Sequence, residues 1–148
     1  MQVMNTKELS RTDVEGLIVK FDSCQLPKEE WTHQAHIVVA FWYNWHYPFT
    51  EALNLVRKGI VSYNEAVGTP NTDDSGYHET LTVFWMRLTR NFLQGDKYTK
   101  LEDVCNAFLL SKEAENTSPF NYYSRDFLFS VQARKEWVDG DLQKVPIV

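Results

Sequence analysis

The chain has 148 residues, a formal net charge of −5, 14% aromatic residues and five tryptophans. Its length suits a single domain, 1–148, that buries roughly two thirds of its unfolded surface without needing disulfides or metal. The acidic balance argues against nucleic acid as a partner: no basic stripe occurs, and the longest basic cluster is the pair Arg57-Lys58.

Residues 1–10 are polar and lack the apolar stretch of a secretory signal, so none is expected. Thr12-Asp13-Val14-Glu15 has the spacing of a capping box, and Val14, Leu17, Ile18 and Phe21 follow on one helical face ending near Ser23. Cys24 and Cys105 are far apart with no CxxC spacing; two free thiols, and with them a cytoplasmic setting, are the simpler expectation. Leu26-Pro27 breaks the chain, and Pro27 to Glu30 reads as a short helical turn with acids at its positive end.

The stretch from about Thr32 to His46 is apolar or aromatic on nearly every face. It is shorter than the about 20 residues a membrane span needs, so it predicts the buried central helix of a soluble domain, and no membrane partner is expected. Pro48 closes it, and Thr50 is the expected N-cap of a helix whose Leu53, Val56, Ile60, Tyr63 and Val67 share a face. Gly68 to Gly76 is the clearest loop. A long helix is predicted over Tyr77–Leu93, stopped by Gln94-Gly95, and a further helix after the capping box Thr99-Lys100-Leu101-Glu102. Beyond a polar break at 113–119, Asn121 to Phe129 suggests one or two turns, and Ser130 a cap for a last helix through Trp137. With no sustained strand alternation and no repeat, the expected fold is all-α: a compact single-domain helical bundle of about five main helices around the 32–46 helix.

Chemistry concentrates in three histidines near helix starts, His33, His36 and His78. Residues three apart share a helix face, so His33 and His36 can look into one cavity, with His78 joining from a neighbouring helix. One reading is a His-lined pocket for a small polar or anionic molecule, where the three imidazoles act as general acid–base groups or hydrogen-bond donors, as in a His-dependent enzyme. Trp31, Trp42, Tyr77 and Trp85 would supply walls, Thr82 a polar contact, and Tyr122, Arg125 and Arg87 anchors for a carboxylate or phosphate. A second reading makes His33, His36 and His78 the three ligands of a divalent transition metal in a mononuclear hydrolase or oxidase. Against it, there is no HExxH, and only Glu30-Trp31-Thr32-His33 has Glu-x-x-His spacing where a di-metal bundle needs two copies. A third makes the protein a non-enzymatic interaction module, with histidines that only bond carbonyls at helix ends. A homodimer is compatible with so apolar a helix, although no heptad pattern marks one.

The stretches Trp31-Thr32-His33-x-x-His36 and Tyr77-His78-x-Thr80-Leu81-Thr82-x-x-Trp85, with Tyr123-Ser124-Arg125 and Ala133-Arg134 further on, resemble a group of small all-helical bacterial proteins without an established activity. The resemblance runs from about His33 to Trp137. It implies that His33, His36 and His78 form one site, and does not choose between metal and pocket.

Overall fold

The computed structural model describes residues 7–95 and 98–148. Its central element, α2 (His33–His46), begins where the Thr32 hydroxyl accepts from the Ala35 N–H. The side chain thereby takes one of the amide protons that a helix start leaves without a partner. α2 packs against α1 (Arg11–Asp22), α3 (Phe49–Ala66), α4 (Glu79–Gly95) and α5 (Leu101–Leu109). This encirclement explains its composition. Ile37, Val38 and Phe41 enter one core with Phe84, Leu101 and Phe108, while Val39, Ala40 and Tyr43 enter a second with Phe21, Tyr63 and Met86.

The chain after α5 is irregular: single 3₁₀ turns at Lys112–Ala114 and Ser118–Asn121, then the short helices α6 (Arg125–Leu128) and α7 (Val131–Lys135). α7 packs on α4. Among the described residues the fold is all-α with no strand, five main helices and two short ones, and none of these helices is long and apolar enough to cross a membrane.

Several boundaries differ from expectation. The cap of α1 is Ser10, paired with Asp13 in a capping box, so Thr12 falls inside the helix. α3 starts one residue before Thr50, after Pro48, and has no side-chain cap; the proline has no N–H to satisfy and its fixed φ leads into the helix. α5 starts after Lys100, not Thr99, also without a side-chain cap. Gly95 is the last residue of α4, and the residues just beyond it, 96–97, lie outside those described. Ser130 caps α7 as expected, but that helix stops at Lys135.

Several polar groups inside the bundle are tied to backbone carbonyls. Tyr63 Oη donates to Leu26 O (2.8 Å) and Tyr123 Oη to Val138 O (2.6 Å), while Asn44 Nδ2 donates to Met86 O (3.1 Å). A reciprocal pair joins chain segments 97 residues apart: Leu9 N–H donates to Asn106 Oδ1 and Asn106 Nδ2 donates to Leu9 O, each at 2.9 Å.

Candidate functional site

Near the N-terminal ends of α2 and α4, beside the second half of α3, the helices leave a cavity of about 590 Å³. Trp31, His33 and His36 line it from the start of α2, and Ile60, Tyr63 and Asn64 from α3. Tyr77, His78, Leu81, Thr82 and Trp85 contribute the third wall, and Asn116 and Pro119 of the irregular segment close one side. A volume of this size matches pockets that enclose small organic ligands.

All three histidines are held by backbone carbonyls. His33 Nε2 lies 2.6 Å from Ala114 O, His36 Nδ1 2.7 Å from Thr32 O and His78 Nε2 2.8 Å from Leu128 O. A carbonyl oxygen has no proton to give, so the ring nitrogen facing it must carry the hydrogen and the tautomer is fixed. His78 is fully spent, because its Nδ1 also accepts from the Leu81 N–H at 3.1 Å, capping the first turn of α4. The other two rings each keep a second nitrogen, His33 Nδ1 and His36 Nε2, with a lone pair.

Aromatic neighbours fix the ring planes. His36 stacks on Trp31 with centroids 3.7 Å apart, and Trp31 stacks in turn on Phe21 at 4.8 Å. His33 meets Trp85 edge-on at 4.9 Å. Enclosure in this environment pushes the His36 imidazole down from 6.5 to about 4, because burial disfavours its charged form. Burial also lowers His78. At neutral pH both are therefore uncharged.

The wall containing Tyr77 is braced from behind. Tyr77 Oη donates to Glu79 Oε1 at 2.6 Å, and Arg57 grips the same carboxylate, Nε donating to both oxygens at 3.0–3.1 Å and Nη2 to Oε2. Burial, then the Glu79 bond, raises the Tyr77 phenol above its usual range. Thr82 Oγ1 donates to His78 O at 2.9 Å. The loop before α4 is pinned by Asn71, whose Oδ1 accepts from Tyr77 N–H (2.9 Å) and from Asn64 Nδ2 (3.0 Å). Arg134 of α7 donates to Gly76 O at 2.9 Å.

Of the residues expected in the site, His33, His36, His78, Trp31, Tyr77, Thr82 and Trp85 line this one cavity. Tyr122 and Arg125 do not. Tyr122 packs against Phe84, ring centroids 5.4 Å apart, and the exposed Arg125 lays its guanidinium 4.5 Å from the Phe120 ring centre. Neither is an anion anchor for the cavity. Arg87 covers Trp137 at 4.2 Å, and Trp42 packs into the core against His46. The wall of α3 went unassigned from sequence: Ile60 and Tyr63 lie on a stripe with the spacing of ordinary core, which does not distinguish a cavity wall.

The three-histidine metal site is corrected as well. Among the described residues, no three His, Cys, Asp or Glu side chains are grouped to hold a metal ion. His78 has both nitrogens engaged, and His33 and His36 lean on different tryptophans. Both cysteines are free thiols, with Cys105 buried and pushed up to about 12 by desolvation.

No family model, curated protein or solved structure matches the chain.

Proposed function

We propose that this protein binds a small, largely apolar molecule in the cavity between α2, α3 and α4. The observation that carries the reading is the wall itself: aromatic and aliphatic side chains surround a few polar groups whose orientations are fixed by bonds to the backbone. Ligand sites in proteins have this make-up. The ligand expected from sequence was polar or anionic, and the charge distribution favours an uncharged one. Among the described residues Lys28, an exposed residue, is the one full cation on the lining, and His36 is neutral.

Binding is a better fit than acid–base catalysis by His36 or His78. A general base works best with a pKa near the working pH, and His36 sits well below it, while His78 has no free nitrogen to exchange a proton. An interaction module would suit an exposed Trp42–Trp45 cluster, whereas both residues pack against the core. A cytoplasmic setting accompanies this proposal, supported by the two free thiols.

The test is a thermal-shift screen of small uncharged aromatics against the protein and a Leu81→Trp variant, which fills the cavity. Compounds that raise the melting temperature of the protein by several degrees and leave the folded variant unmoved are the expected result. Equal shifts in both, or none in either, would remove the cavity as a binding site.

A further inference from the structure

Three side chains on the cavity wall share a bias. His33 has given its Nε2 hydrogen to Ala114 O, His36 its Nδ1 hydrogen to Thr32 O and Thr82 its hydroxyl hydrogen to His78 O. In each case the partner is a carbonyl oxygen, which can only accept. What each of the three has left is a lone pair: His33 Nδ1, His36 Nε2 and Thr82 Oγ1.

We propose that the cavity selects uncharged aromatic ligands that donate hydrogen bonds, such as phenols and aromatic diols, through an acceptor face made by His33, His36 and Thr82. This rests on the cavity being a binding site, and narrows what the site takes. A carboxylate or phosphate would set its own lone pairs against this face, with the exposed Lys28 as its one cationic partner among the described residues of the lining. A cationic amine finds no carboxylate among the described residues of the lining either: Glu79 stands behind Tyr77, already engaged by Arg57 and the Tyr77 hydroxyl. An uncharged O–H or N–H donor meets neither penalty. The neutrality of His36 keeps its lone pair available throughout the physiological pH range.

A matched set of probes reads this directly by isothermal titration calorimetry at pH 7.5. Catechol, 1,2-dimethoxybenzene and benzoate share a benzene ring and differ in offering two donors, none, or an anion. Catechol is expected to bind at least about tenfold more tightly than either of the others, the scale of one or two well-made hydrogen bonds. His36→Phe keeps a ring on Trp31 while deleting the lone pair, and should cost catechol about fivefold or more with no loss for 1,2-dimethoxybenzene. Thr82→Val, nearly the same shape, should give a smaller loss of the same kind and stands in should His36→Phe fail to fold. Equal binding of catechol and its dimethyl ether would overturn the acceptor face while leaving the cavity a binding site. Tightest binding of benzoate would overturn it too, as would the absence of binding by all three, and the cavity itself is then decided by the Leu81→Trp comparison.

Discussion

At His78 the Nε2–H donates to Leu128 O and Nδ1 accepts from the Leu81 N–H, so protonation would set one N–H against another. Burial acts in the same direction, lowering the folded-state pKa of both His78 and His36, the latter to about 4. The unfolded chain has ordinary imidazoles near 6.5, so below that pH the unfolded state binds more protons and stability falls. For His36 the loss accumulates between about 6.5 and about 4 and levels off below. Asp139 and Asp141, whose carboxyls are lowered from 3.8 by hydrogen bonds to backbone N–H groups and the Ser124 hydroxyl, lose their contribution only at more acid pH. His78→Asn retains a capping acceptor and removes the titration. Urea unfolding from pH 7.5 to 5 should therefore show a shallower decline in the variant, by at most about 1.4 kcal/mol per pH unit. Parallel curves would mean that His78 does not resist protonation. His78 also marks what sequence could not supply: its position beside the cavity followed from its place at a helix start, but not Leu128 O, which spends its second nitrogen from 50 residues away.

The loop from Gly68 to Gly76 is exacting about its residues. Gly76 has φ +78°, and a Cβ there would come within 2.3 Å of Pro70 O and 2.7 Å of Asn71 Oδ1. Asn71 is the residue that ties the loop to α3 and to Tyr77. Gly76→Ala should cost about 1–3 kcal/mol in denaturant unfolding and also weaken ligand binding, because the Tyr77 wall hangs on the same bonds. A variant with unchanged stability would place the loop elsewhere. The loop was plain in the sequence from its breakers and acids, as was the run of helices from their apolar periodicity. The caps were harder. Thr12, Thr50 and Thr99 each had a capping residue's chemistry, but Ser10 took the first site and a prolyl or lysyl position the others, since neighbouring residues compete for a cap on local geometry that periodicity does not resolve.

For the bundle as a whole, the all-apolar composition of α2 was enough to place it at the centre, and that follows from its being covered by four helices. The cavity was only half foreseen. Its histidine wall announced itself by polarity, whereas Ile60 and Tyr63 carry the same signature whether they meet another side chain or an empty space; a void leaves no mark on hydrophobic spacing.

The reciprocal Leu9–Asn106 bonds bear on how the molecule assembles in time. They close a loop of 97 residues, and loop closure costs entropy that grows with the logarithm of length. Local helix pairs such as α2 with α3 can form well before such a tie is worth making. The amide pair thus belongs to the last stage of folding and the first of unfolding, a clasp on a bundle already formed. Asn106→Ala should raise the unfolding rate in stopped-flow experiments by about three- to tenfold and change the folding rate by less than about twofold. A slowed folding limb would instead put these distant segments together early, in the transition state itself.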